Sequence, residues 1–376
     1  MKSVNWRPNK MSEKSKRKEI AILSDAARSL VKGKTTIMEV CGTHTVSIFR
    51  NGLKSLFPEK IRLVSGPGCP VCVTDQGEID AAIASADLED TIVATYGDML
   101  RVPGSHGSLL EARSRGREVK VVTSAAGALK LAEENPLKRV VFLGIGFETT
   151  APATASVILD AQEKNLRNFF VLCLHKRVPP ALRLLAEAPD LSIDGFLLPG
   201  HVSVIIGLEP YRFLSDLFGK ACAVAGFEAR DIMLGIVEIL RQIRTGRPTV
   251  RSMYPRAVHP EGNKKALSLL ERVFENTTAS WRGLGEIPGS GYRLRDAFSN
   301  FDAEAMLKIT VAKVKPPRGC RCGDVLKGVI SPLECPLFET SCAPAHPVGP
   351  CMVSTEGTCA AYYSFARKGA EISWNA

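Results

Sequence analysis

Eight short runs rich in β-branched residues, each followed by a Gly or Pro turn and a helix-like stretch, restrict this chain more than any other feature. They fall at 36–40, 61–64, 91–96, 119–123, 139–143, 169–174, 195–198 and 221–225. Strands that alternate with helices are joined by crossovers, and a crossover leaves its two strands parallel, so the pattern predicts an α/β protein built on parallel sheets. A polar, helical break over 125–138 predicts two Rossmann-like lobes rather than one wide sheet. With a boundary near residue 135, the first lobe takes 19–135 and the second 136–230, while 1–18 form a basic extension. From 231 the pattern turns helical, and Ile232, Leu234, Ile236, Val237, Ile239, Leu240 and Ile243 recur at the spacing of a core-facing helix. After Lys315-Pro316-Pro317 the composition changes again: six of the eleven cysteines lie between Cys320 and Cys359, among Pro and Gly. A stretch with so few periodic apolar residues needs a staple to hold its shape, so 231–376 reads as helical and then cysteine-rich.

Composition narrows the function. At 376 residues and 45% hydrophobic the chain is long and apolar enough for several cores, which excludes disorder. Its apolar runs are far shorter than the roughly 20 residues of a membrane helix, and its basic start lacks the apolar core of a secretory signal, so a cytoplasmic location is expected. In that compartment thiols stay reduced, and eleven cysteines point to metal or redox chemistry rather than structural disulfides. The net charge of +10 is concentrated in the first eighteen residues, where only Trp6 is aromatic; that stretch reads as a solvated helix start, and neither nucleic acid nor membrane is expected as a partner.

Three constellations carry the chemistry. Cys41, in Met38-Glu39-Val40-Cys41-Gly42-Thr43-His44, follows a strand and so lies at the carboxyl edge of a parallel sheet, where α/β proteins place ligands. A helix starting there, with His44 nearby, would lower the thiol pKa and favour thiolate. Cys69 and Cys72, in Ser65-Gly66-Pro67-Gly68-Cys69-Pro70-Val71-Cys72, form a CxxC turn presented on a tight, exposed loop, fit to chelate a metal or to cycle between dithiol and disulfide. With no second CxxC in the chain, an open three-sulfur site for a metal carrying other ligands fits better than four-ligand zinc. The C-terminal thiols outnumber what one tetrahedral site needs, and their spacing matches neither a zinc ribbon nor a ferredoxin run. A [4Fe–4S] cluster on Cys335, Cys342, Cys359 and one of Cys320 or Cys322, with Cys322 taken and Cys351 in reserve, is expected over structural zinc.

Other signals weigh less. Gly144-Ile145-Gly146-Phe147-Glu148-Thr149-Thr150 starts like a dinucleotide fingerprint but lacks its third glycine, which argues against NAD and for a shaped loop between the lobes. His201, in Pro199-Gly200-His201, is expected to be a packed or surface histidine, and Asp98 and Arg101 an ordinary surface ion pair.

Taken together the motifs resemble the HypD family of [NiFe] hydrogenase maturation factors over nearly the whole chain. The stretches that carry the resemblance are MEVCGTHT at 38–45, SGPGCPVCVT at 65–74, YGDMLRVPG at 96–104, GFETTAPATA at 146–155, PGHVS at 199–203, WRGLGEIPGSG at 281–291 and GPCMVSTEGTCAAYY at 349–363. The resemblance implies that Cys41, Cys69 and Cys72 surround an Fe(II) while cyanide and CO are installed, in complex with a HypC-type small chaperone and a HypE-type cyanide donor, and that the C-terminal part carries a [4Fe–4S] cluster. Two departures stand out: Val46 occupies a position where the family often has a further histidine, and the first eighteen residues match no motif. A thiol–disulfide oxidoreductase working through Cys69 and Cys72, and a scaffold whose metals are purely structural, are the rival readings.

Overall fold

A parallel strand buried on both faces reads as an unbroken run of apolar or β-branched residues, and all eight runs are strands. The computed structural model describes residues 13–188 and 191–366. Its strands are β1 (Thr35–Glu39), β2 (Ile61–Ser65), β3 (Thr91–Thr95), β4 (Glu118–Val121), β5 (Arg139–Gly146), β6 (Phe169–His175), β7 (Gly195–Pro199), β8 (Ala221–Ala225), β9 (Val250–Ser252), β10 (Phe274–Trp281) and β11 (Gly285–Leu294). Two parallel sheets result, one in the order β2-β1-β7-β8-β9 and one in the order β4-β3-β5-β6.

These sheets divide the chain differently from a cut at residue 135. The second sheet is wholly an insertion between β2 and β7, and the chain returns to the first sheet when β7 pairs beside β1, with Ile37 opposite Gly195 and Glu39 opposite Leu197. Asp194 fixes that return by accepting from the Thr36 N–H at 2.7 Å. Pairing across so long a stretch leaves no local pattern, whereas the helical break over 125–138 is only a crossover, helix Ala125–Glu134, inside the second sheet.

The helix Ala229–Thr245 buries Ile232, Ile236, Ile239 and Leu240 against Ile37, Leu197 and Ala223 of the first sheet. Each such side chain contributes about 1.5–3 kcal/mol. Ile243, expected in the same stripe, stays 38% exposed. Helix Glu13–Leu30 packs on the outside of Ala229–Thr245; the basic extension otherwise lies outside the described residues. In the second sheet Ile92, Val140, Phe142 and Phe169 face Ala128, Ala132, Ala155 and Ile158 of the flanking helices. Its other face, through Val93, Val141, Leu143 and Leu172, shares one core with Met38, Phe196, Leu198 and Val224 of the first sheet.

The region after 231 is less helical than its periodicity suggests. β10 and β11 form an antiparallel hairpin whose Thr277 and Thr278 are strand formers set among Gly and Ser. This hairpin reaches both lobes: Trp281 bridges to Thr74, and Gly291 to Lys176. No described helix is long and apolar enough to cross a membrane.

Candidate functional site

β1 has β2 on one side and β7 on the other, and the connections leave in opposite directions, which makes its carboxyl end the switch point of the first sheet. Cys41 stands there, as N-cap of helix Gly42–Arg50. The Cys69–Cys72 loop follows β2 and is bound to it directly, with Gly42 N–H donating to Gly68 O at 3.2 Å. Only glycine permits this approach: a Cβ on Gly68 would lie 2.5 Å from Cys41 Cα, and one on Gly42 would lie 2.7 Å from Glu356 Cβ. Gly68→Ala must therefore push the two cysteine loops apart, an overpacking cost of about 1–3 kcal/mol. A melting temperature equal to that of the wild type would contradict the packing described.

The thiol is not activated in the way its sequence context suggests. A helix does begin at Cys41, yet burial pushes the thiol up to about 12, and the Glu356 charge adds to the effect. His44 supplies no cation: it is fully buried, its Nε2 bonds Ala225 O (3.3 Å) and Gly226 O (3.0 Å), and desolvation lowers it to about 4. Its Nδ1 is buried and without a hydrogen-bond partner. Beneath the loop Glu39 accepts from Cys41 N–H at 3.2 Å and from the Thr45 hydroxyl, and burial raises its carboxyl to about 7. Above it the Thr43 hydroxyl donates to Glu356 Oε1 at 2.6 Å, so a C-terminal residue closes the site.

Cys69 and Cys72 are disulfide-bonded, with Cα atoms 5.2 Å apart, and they are buried rather than presented on an exposed loop. The prolines around them press the turn into the core, beside Val71 and Val73. Among the described residues no three His, Cys, Asp or Glu side chains are grouped as ligands of a single ion, so Cys41, Cys69 and Cys72 adjoin through their loops without forming a three-sulfur group.

The short helix Pro350–Val353 packs against Pro70–Val73, bringing the C-terminal cysteines next to the disulfide. All six line one cavity, walled by Val325, Leu337, Phe338 and Met352. Within it Cys322 and Cys351 bring their sulfurs to 2.7 Å, and hydrogen bonds from Cys320 and Cys351 hold the Cys322 thiol well below its ordinary value. The remaining four, Cys320, Cys335, Cys342 and Cys359, could hold a [4Fe–4S] cluster, which takes four thiolates on four different irons in apolar surroundings.

Sequence reading passed over several residues that the fold brings in. Glu148 is 1% exposed, and both its oxygens accept from Val178 N–H, at 3.0 and 3.3 Å. Pro179 and Pro180 give it no further donor, and burial raises it to about 7 from 4.5. Because folded Glu148 keeps a proton that the unfolded chain releases in that window, its contribution is present at low pH and lost as pH rises through the folded value. Glu148→Gln, neutral throughout, is expected to gain on the wild type by up to about 3 kcal/mol across the window. The difference between variant and wild-type melting temperatures should grow with pH; a constant difference would refute the assignment. Asp98 is no surface partner of Arg101, since it accepts from the Ser354 hydroxyl (2.8 Å) and Thr355 N–H (3.3 Å) and ties the second lobe to the C-terminal segment. Lys176 and Glu78 form a buried ion pair at the end of β6. His201 is a surface residue packed at a tilt against Phe227, ring centroids 3.9 Å apart. The loop after β5 is shaped by Gly146 at φ +143°.

The family model named HypD and described as hydrogenase formation hypA family matches residues 16–366. The hydrogenase maturation factor HypD of Cupriavidus necator is 46% identical over 338 residues, covering 88% of this chain and 89% of that protein. The factor of the same name from Escherichia coli strain K12 is 44% identical, over 89% of this chain and 90% of that protein. That of Rhodobacter capsulatus is 43% identical, over 92% and 93%.

Proposed function

Because the chain belongs to the HypD family of hydrogenase maturation factors, we propose that it is the platform on which the Fe(CN)2CO centre of a [NiFe] hydrogenase is assembled, together with a HypC-type small chaperone and a HypE-type cyanide donor. The observation that carries this reading is the meeting of Cys41, at the switch point of the first sheet, with the Cys69–Cys72 loop and the six-cysteine cavity behind it. Iron is the cargo. Soft thiolates suit Fe(II), and strong-field cyanide and CO make the ion inert enough to hand over.

Cys41 is the thiol free to take the cargo, since its two neighbours are paired with each other. Binding requires it to lose a proton that burial holds tightly, so metal arrival must drive the deprotonation. Opening the disulfide would free Cys69 and Cys72 as further donors or as a two-electron reductant beside the iron. A [4Fe–4S] cluster on Cys320, Cys335, Cys342 and Cys359 supplies single electrons when bound. The 2.7 Å approach of Cys322 to Cys351 favours Cys320 over Cys322 as the fourth ligand, because it marks those two as a dithiol of their own. That pair, packed between the cavity and Pro70–Val73, is suited to serve as a second dithiol.

The disulfide itself favours one other reading, a thiol–disulfide oxidoreductase acting on a small protein. Infrared spectra of the anaerobically purified complex with the HypC-type chaperone separate the two, because metal-bound cyanide and CO absorb where protein does not. Both bands are expected; dithiol turnover without them would leave the oxidoreductase.

A further inference from the structure

We propose that Arg282 is the positioning residue of both sulfur pairs, a fixed buried positive charge between Cys69–Cys72 and Cys322–Cys351 that favours their reduced, anionic forms. This inference rests on the dithiol chemistry proposed above. Arg282 begins the turn of the β10–β11 hairpin and is 1% exposed. Its backbone N–H donates to Val73 O at 2.9 Å and its Nε to Thr74 O at 3.1 Å, so it grips the end of the helix that carries Cys72. Its Nη2 donates to Gln76 Oε1 at 2.9 Å. The next residue, Gly283, lies flat on Gly323, where a Cβ would sit 2.6 Å from Gly283 Cα, and Gly323 follows Cys322. Arg282 thus touches the end of the first pair's helix while its neighbour touches the second pair's.

Its charge is unanswered. Arg282 takes part in no ion pair among the described residues, and its Nη1 is buried without a hydrogen-bond partner. A guanidinium stays charged in any protein, and a buried charge without a counter-charge is costly to keep. Sulfur acquires negative charge when a disulfide opens. A thiolate of a dithiol reductant attacks one sulfur of Cys69–Cys72, the S–S bond breaks, and the other sulfur leaves as thiolate. The reductant's second thiol then attacks the mixed disulfide, so that the reductant ends as a disulfide and both cysteines end reduced. Two electrons have moved, and the reductant's protons pass to the cysteines or to water. Arg282 lowers the energy of each thiolate that appears.

The test is a redox titration of the full-length, anaerobically prepared chain in mixtures of reduced and oxidised dithiothreitol, with alkylation and mass analysis of the peptides carrying Cys69, Cys72, Cys322 and Cys351. Arg282→Gln removes the charge and is expected to need about tenfold more reduced over oxidised reagent at half-reduction of Cys69–Cys72, equivalent to about 30 mV for a two-electron couple. Arg282→Lys keeps the charge and loses the fork of hydrogen bonds; it should melt earlier yet titrate within about twofold of the wild type. Equal shifts in both variants, or none in the glutamine variant, would overturn the charge role. If circular dichroism shows the glutamine variant unfolded, the lysine variant decides: an unmoved titration supports the proposal and a tenfold shift sinks it. A wild-type disulfide that excess dithiothreitol leaves closed would instead remove the dithiol reading on which it stands.

Discussion

Cys41→Ala is expected to abolish hydrogenase maturation while leaving the fold and the C-terminal iron in place. The substituted atom is one sulfur at a helix N-cap, so the cavity it leaves is small, and a loss of about 1 kcal/mol at most is expected. The six cysteines of the C-terminal cavity lie far along the chain and keep their own walls. What disappears is the free thiol at the switch point, which neither Cys69 nor Cys72 replaces while they are bonded to each other. Serine should fail as fully as alanine: an alcohol stays protonated near neutral pH and is a hard donor where a soft one is wanted. The measurement is hydrogenase activity in cells lacking their native factor, alongside the cyanide and CO bands of the purified complex. Wild-type activity in Cys41→Ala would refute the iron site and favour the oxidoreductase.

How much of this was legible beforehand follows from the range of each interaction. The central strands announced themselves because burial on both faces demands apolar, β-branched runs, while the edge strands β2 and β4 keep an exposed side, and position at a strand's carboxyl end placed Cys41 and the CxxC at the right edge of the sheet. The partition into lobes was not legible, because it depends on β7 finding β1, a pairing whose only trace in the sequence is Asp194 ready to receive Thr36. Nor was the state of Cys41: the helix start and His44 are local and argue for a thiolate, while the burial that outweighs them comes from the Gly68 loop and from Glu356, over three hundred residues away. Arg282, within WRGLGEIPGSG at 281–291, carries no local signal, because its contact with Thr74 exists only once the hairpin has formed. The six C-terminal cysteines were recognisable as a group by composition, but spacing alone could not say that Cys322 would meet Cys351 and leave four others.

That division makes the second large prediction. Cys342→Ala is expected to lose most of about four cluster irons per chain and to melt markedly earlier, whereas Cys351→Ala is expected to keep them. Cys342 lies in a satellite core with Phe338, Met352 and Tyr362, and its sulfur accepts from Val348 N–H at 3.3 Å, so its place beside the cavity is already fixed. The segment from 308 to 349 carries few regular elements, and that small core alone is too little to fix it, so metal binding there is folding energy. Alanine at 342 removes both a ligand and the order it imposes. Cys351 lines the cavity too, but its sulfur is paired with Cys322, and the loss falls on that pair and on its contact with Pro70–Val73. Cys320→Ala should behave like Cys342→Ala, and Cys322→Ala like Cys351→Ala. The assay is iron content, visible absorption and calorimetric melting of anaerobic preparations. Stoichiometric zinc without visible absorption would dispose of the cluster altogether; full iron in Cys320→Ala together with its loss in Cys322→Ala would restore Cys322 as the fourth ligand and leave Cys351 a lone buried thiol.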